Sequence, residues 1–176
     1  MGLPTVIVLA SGRGERFNAS GGSGHKLQAQ LLDKPVLQHT LDAVRASGLP
    51  WHLEDSGQPG MGDSIAAAVA ATAQAAGWLI LPADLPLIQS HTLQAVACAL
   101  SRHEVVVPTY QGRRGHPVGF STACRTALLN LSGNMGAATV IRAYTAIELI
   151  VSDVGCITDI DTVDDLRGAE RRLRGA

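Results

Sequence analysis

Short apolar runs recur along this chain, separated by polar and glycine-rich stretches. Val6-Ile7-Val8-Leu9, Trp78-Leu79-Ile80-Leu81 and Val105-Val106-Val107 are continuous and too short for helices. Such runs predict strands buried on both faces of a sheet. Ile147 to Val151 predicts another strand, and the alternating Trp51-His52-Leu53-Glu54 a shorter one. Between these runs the apolar period changes. Val36, Leu37, Thr40, Leu41 and Val44 follow helical spacing, with Pro35 suited to a first turn and Ser47-Gly48 to a stop. Further helices are expected from Ile65 to Ala76 behind a cap at Asp63 or Ser64, and from Ser90 to about Leu100. Others are expected from Thr122 to Leu131, from the 133–136 turn to about Tyr144, and from Val163 to Arg174. Pro108 predicts the end of the third buried run, and 155–161 reads as a strand or turn. Strand alternating with helix predicts an α/β sandwich on a mostly parallel sheet. The length predicts a single domain over residues 1–176.

Composition narrows the function classes. Hydrophobic residues make up 46% and aromatics 3%, so the expected core is aliphatic, suited to helices packed closely on a sheet. A net charge of −1 argues against broad nucleic-acid binding, which needs a basic surface. No apolar run is long enough to span a membrane, and Met1-Gly2-Leu3-Pro4 lacks the basic and apolar regions of a signal peptide. Cys98, Cys124 and Cys156 are odd in number and widely spaced, which predicts reduced thiols in a cytoplasmic protein.

The chemistry begins where the first run ends. Ala10-Ser11-Gly12 opens a loop carrying Gly12, Gly14, Gly21, Gly22 and Gly24 interleaved with Arg13, Arg16 and Lys26. Glycines let backbone N–H groups converge on an anion, and arginines fork onto phosphate oxygens. The loop therefore predicts a polyphosphate site at the C-terminal end of a strand, where open α/β sheets bind ligands. It is not a Walker A loop, since His25 and Leu27 flank Lys26, nor a dinucleotide fingerprint, since Phe17 stands at the third glycine position.

Asp84, in Leu81-Pro82-Ala83-Asp84-Leu85-Pro86, lies just past the second buried run. It reads either as a Mg²⁺ ligand acting with substrate phosphates or as a turn aspartate between two prolines. Asp159 and Asp161 share one face of an extended segment, which calls for a cation or donor between them. Asp161 is the expected second ligand and Asp159 its support, while Asp164 and Asp165 belong to a helix start. Gly60-Met61-Gly62-Asp63-Ser64 reads as a capped helix start that a ligand can approach closely. Arg113-Arg114-Gly115-His116-Pro117 is either a solvated basic turn or the meeting point of an anionic second substrate, and Gly133 to Gly136 can face the same ligand.

These segments, in this order, carry a resemblance. LASGRGERF closed by Lys26-Leu27, GMGDSIAAAV, LPADLPLI, RRGHPVGF and DIDTVDDL are together similar to the motifs of the nucleotidyltransferases with a Rossmann-like fold. They resemble the molybdenum cofactor cytidylyltransferase branch most. The resemblance implies a Rossmann-like three-layer sandwich that uses Mg²⁺ and CTP, in which the phosphate of molybdopterin attacks the α-phosphate and pyrophosphate leaves. Arg16 and Lys26 would then stabilise the triphosphate and leaving group. Leu9, Ala10, Ser11, Gly12, Gly14, Gly60, Gly62 and Ser64 would contact the nucleotide, and Asp84 and Asp161 would hold the metal. Arg114, His116 and Gly133 would face the pterin, and a molybdenum hydroxylase is the implied client. Relatives that use GTP tend to carry two adjacent glycines where Ala10-Ser11-Gly12 stands, which leans the chain towards CTP. The 47–61 segment is shorter than in relatives, which fit an extra strand and helix there. A guanylyltransferase, a sugar-phosphate nucleotidyltransferase of the same fold and a non-catalytic pterin carrier are the competing readings.

Overall fold

The computed structural model describes residues 2–175. In chain order it runs β1 (Thr5–Leu9), α1 (Glu15–Ala19), β2 (Gln30–Leu31), β3 (Lys34–Pro35), α2 (Val36–Ala46) and β4 (Trp51–Glu54). Next come α3 (Met61–Ala71), β5 (Gly77–Pro82), α4 (Ser90–Ala99), β6 (Val105–Tyr110), β7 (Arg113–Arg114) and β8 (Val118–Ser121). The chain closes with α5 (Arg125–Leu129), α6 (Ala138–Ala143), β9 (Ala146–Ile150) and α7 (Val163–Arg174).

The main sheet has seven strands in the order β4-β1-β5-β8-β6, with β7 and β9 also pairing with β6. β1 is parallel to β4 and β5, and β6 is parallel to β9. β8 is antiparallel to both β5 and β6. A tiny antiparallel hairpin, β2–β3, stands apart.

Successive strand residues point to opposite faces, and each face has its own helices. Val6, Val8, Leu79, Leu81 and Val106 pack with Leu41 and Val44 of α2, Leu93 and Val96 of α4 and Ala169 of α7. Ile7, Trp78, Ile80, Val105 and Val107 pack with Ile65 and Val69 of α3, Leu128 of α5 and Val140 of α6. The result is helix on sheet on helix, the expected three-layer α/β sandwich with a Rossmann-like, mostly parallel sheet. Among the described residues no helix is long and apolar enough to cross a membrane.

Local features refine the expected elements. The glycine loop contains a short helix, α1, anchored by buried Phe17. β6 does not stop at Pro108 but continues to Tyr110. Pro108 falls where β6 has left its β8 pairing and has not yet met β7, so no ladder bond needs its missing N–H. α3 starts at Met61 and ends at Ala71, with Gly60 as its cap in place of Asp63 or Ser64. Residues 154–157 form a 3₁₀ turn, and α4 is preceded by Gln89 as its cap residue. Buried Asp153 replaces a local cap there: its Oδ2 accepts from Gln89 N and Thr92 Oγ1, while its Oδ1 accepts from Gly155 N.

Candidate active site

The C-terminal ends of β1 and β5 open onto a cleft of about 1060 Å³. Its floor is tied to both neighbouring segments. Ala83 N donates to Leu9 O at 2.9 Å, so β5 continues alongside β1 up to Asp84. Thr40 Oγ1 of α2 donates to Ala83 O at 2.7 Å. Ile160 N donates to Asp84 O at 2.9 Å, which brings Asp161 beside Asp84 although 77 residues separate them in the chain. Asp165 then fixes Asp161 from behind. Its Oδ2 accepts from the backbone of Asp161 and Thr162, and Thr162 Oγ1 caps α7 in return.

Lys26 sits between the two carboxylates. Its Nζ lies 2.7 Å from Asp84 Oδ2 and 3.1 Å from Asp161 Oδ1. Arg16 Nη1 lies 2.9 Å from Asp161 Oδ2 and is otherwise open to solvent. Burial works against the charge on Lys26, but hydrogen bonds and charge from Asp84 and then Asp161 outweigh it, and its pKa is raised. Burial, together with the charges of Asp161 and Asp84, pushes the Asp159 carboxyl up. Asp84 Oδ1 is buried without a hydrogen-bond partner. Converging carboxylates with an orphaned oxygen fit a divalent cation. Among the described residues no group of three or more His, Cys, Asp and Glu is placed to cage a metal. Two carboxylates are enough for a hard cation that is completed by phosphate and water.

The glycine loop is held at both ends. Leu27 N donates to His25 Nδ1, so His25 Nε2 carries the proton and donates to Gly12 O at 2.8 Å. Ser20 Oγ accepts from Val163 N at 2.9 Å and fastens the loop to α7. His25 escaped notice in the sequence because only its place beside Lys26 signals this clasp.

The structure places the expected site residues unevenly. Leu9, Ser11, Gly12, Gly14, Arg16 and Lys26 line the cleft from one side. Gly60, Asp84 and Asp161 line it too, as do Arg114 and His116 opposite. Ala10, Gly62, Ser64 and Gly133 are not brought to its wall. Their positions have another physical cause. Gly62 N donates to Gly133 O, and Asp63 Oδ2 accepts from Gly133 N at 3.0 Å, so the start of α3 is stapled to the 132–135 turn. A Cβ on Gly60 would strike Gly133 O, and one on Gly62 would meet Met135 O at 2.6 Å. Ser64 is buried, with its Oγ 3.1 Å from Ser11 Oγ, and so acts on the cleft through Ser11.

On the far wall, Gly115 N donates to Pro108 O and His116 N to Cys156 O. A Cβ on Gly115 would collide with Cys156 O and sit 2.8 Å from its Sγ, so only glycine fits. The turn thereby delivers His116 inward. Its Nδ1 is enclosed without a hydrogen-bond partner, and burial lowers its pKa against a smaller opposing pull from Asp84. Arg114, by contrast, is exposed and pairs with Glu148 at 2.9 Å.

Comparison with known proteins gives the fold and the family. A crystal structure of Rv0371c from Mycobacterium tuberculosis H37Rv is 24% identical, with a TM-score of 0.81 over 97% of this chain and 98% of that one. The same protein in complex with manganese is matched at 23% identity and a TM-score of 0.73, again over 97% and 98%. Molybdopterin-guanine dinucleotide biosynthesis protein A from Archaeoglobus fulgidus gives 16% identity and a TM-score of 0.72 over 98% and 100%. Likeness at these identities speaks for the fold. The family model for the MobA-like NTP transferase domain matches residues 6–148, so the chain belongs to that family and is a nucleotidyltransferase.

Proposed function

We propose that the protein transfers CMP from CTP to the phosphate of molybdopterin and releases pyrophosphate, with Mg²⁺ as the metal. The observation that carries this reading is Lys26 seated between Asp84 and Asp161, with the glycine loop on one side and His116 on the other. The Ala10-Ser11-Gly12 sequence and the GHP turn favour CTP and a pterin phosphate over the sister substrates. A neighbour's binding of manganese supports a divalent cation, and another's part in molybdopterin-guanine dinucleotide biosynthesis supports a molybdopterin acceptor while naming the rival base.

In this reading a phosphate oxygen of the pterin attacks the α-phosphorus of CTP, and the bond to the bridging oxygen of pyrophosphate breaks. No protein nucleophile is required; positioning and charge neutralisation carry such transfers. Lys26 and Arg16 exchange their carboxylate partners for triphosphate oxygens, and the loop N–H groups at Gly12 and Gly14 cradle them. Asp84 and Asp161 would hold the divalent cation, which when bound would neutralise charge on the triphosphate. His116 lines the acceptor side, where its ring would lie towards the pterin phosphate. Arg113 and Arg114 supply cations at the same wall.

The test is pyrophosphate release from each nucleoside triphosphate with Mg²⁺, with and without molybdopterin. Release only with CTP and molybdopterin supports the proposal. Release with GTP moves the protein to the guanylyltransferase reading. Folded protein that binds the pterin but releases nothing with any nucleotide is a carrier.

A further inference from the structure

His25 is exposed and stands outside the lining of the cleft, yet it ties two functional segments together. Its Nδ1 accepts from Leu27 N at 3.2 Å and so caps the 3₁₀ turn Lys26–Gln28, which carries Lys26. A ring nitrogen that accepts has no proton, so the neutral ring keeps its proton on Nε2. That proton goes to Gly12 O, 2.8 Å away. Each nitrogen thus has its own task. One holds the turn at the end of the loop, and the other holds the peptide at its start.

Gly12 needs such a hold. A Cβ built on it would have nothing within 4 Å, so no steric contact stops the Gly12–Arg13 peptide from turning over. That peptide is trans, which sets its C=O and N–H in opposite directions. With Gly12 O drawn towards His25 and off the cleft, the Arg13 N–H is turned the other way. Gly12 and Arg13 themselves line the cleft, and no backbone carbonyl among the described residues accepts from Arg13 N. The loop closes on Lys26 at a second point. Gly14, at φ 65°, packs against the lysine stem, where an added Cβ would be 3.5 Å from Lys26 Cγ.

Resting on the reading above that this loop cradles a triphosphate, we infer that His25 is a positioning residue for phosphate binding. By holding Gly12 O outward, it aims the Arg13 N–H at a phosphate oxygen. Turned over, the same peptide would set a carbonyl oxygen against a polyanion, losing a donor and adding a repulsion. The other ring nitrogen fixes the turn that presents Lys26. One side chain therefore sets the spacing between a backbone donor and the ammonium, so that both meet the polyphosphate already in place.

The experiment uses two amides, each a copy of one ring nitrogen. The NH₂ of Gln reaches the place of Nε2 and can donate to Gly12 O. The carbonyl of Asn takes the place of Nδ1 and can accept from Leu27 N. Because His25 is exposed, neither change disturbs the core. Dissociation constants of tripolyphosphate and of CTP, each with Mg²⁺, are measured for the wild type, His25→Gln and His25→Asn, and the Arg13 amide is followed by NMR.

His25→Asn should weaken both ligands about tenfold, the worth of one hydrogen bond to a charged group, and His25→Gln should stay close to the wild type. The Arg13 amide proton should move downfield when tripolyphosphate binds to the wild type and to His25→Gln, and stay in place in His25→Asn. A histidine that serves only the 3₁₀ turn would give the reverse order, with Gln the weaker variant, and that overturns the assignment. Equal affinity in all three proteins, equal losses in both variants, or an Arg13 amide unmoved in wild type that binds tripolyphosphate overturns it too, and each leaves the polyphosphate reading standing. A wild type that binds neither ligand removes the polyphosphate reading and the assignment with it.

Discussion

The two walls of the cleft are built on opposite plans. Over β1 and β5, charged side chains hold one another: Lys26, Arg16, Asp84 and Asp161 are joined by contacts of 2.7 to 3.1 Å. Across the cleft, the 113–116 turn is held by backbone bonds to Pro108 and Cys156, and its buried ring nitrogen is left unpaired. In the proposed mechanism the first wall is internally paired and exchanges those partners for a polyanion and its cation. The second is a shell held by its backbone, which the proposed acceptor would meet without breaking those bonds. Its ion pair Arg114–Glu148 is exposed on both sides, and such pairs contribute little. Chemistry should therefore reside in the first wall and recognition of the acceptor in the second.

The largest effects should separate the walls. Asp84→Asn should lower kcat on the order of a thousandfold and Lys26→Met on the order of a hundredfold, the range seen when one group aimed at developing charge is removed. Arg114→Ala should raise KM for the acceptor and leave kcat nearly unchanged. Steady-state pyrophosphate release, alongside far-UV circular dichroism to verify folding, reads both. A large loss of kcat in Arg114→Ala would break the division.

A smaller effect probes the shell itself. In Gly115→Ala the new methyl must displace Cys156 O or its Sγ, and backbone cannot yield as a flexible side chain would. Overpacking of this kind costs about 1–3 kcal/mol, readable by chemical denaturation. Since His116 is delivered by that turn, the KM for the acceptor should rise as well, while binding of CTP alone should not change.

Much of this arrangement was legible from the chain. The buried strands announced themselves because a parallel strand covered on both faces must be apolar throughout, as Val6–Leu9 and Trp78–Leu81 are. The α7 boundaries were readable because Thr162 and Asp165 form a local capping box. The parts that escaped depend on distant partners. α1 is five residues long, too short to show a period, and is anchored only by Phe17. The start of α3 was misplaced because Asp63 reads as a cap for its own helix, whereas its carboxylate holds Gly133, 70 positions away. Gly60 and Gly62 suggested a ligand's approach, and the 132–135 turn packs closely against both, while Gly60 also lines the cleft. Pro108 looked like a strand end because the gap between β8 and β7 that tolerates it is a property of the sheet. Glycine and aspartate tell where something comes close, while the sequence does not say whether it is substrate or chain.

The smallest effect distinguishes independent walls from coupled ones. Cys98 is exposed, while Cys124 and Cys156 are buried. Burial, reinforced by the charge of Glu104 near Cys124 and of Asp153 near Cys156, pushes both buried thiols up to about 11. The thiolate is the reactive form, so at about pH 8 the two buried thiols stay protonated and unreactive. A disulfide reagent should therefore modify Cys98 in the native protein and reach the others only in denaturant. Cys156 backs the acceptor wall directly beneath Gly115, which makes it a local reporter. Gly115→Ala should release a second reactive thiol in native buffer, and Asp84→Asn should not. Should Asp84→Asn also unmask Cys156, the bond from Ile160 N to Asp84 O and the packing behind it would be carrying strain from one wall to the other, and the walls would act as one unit.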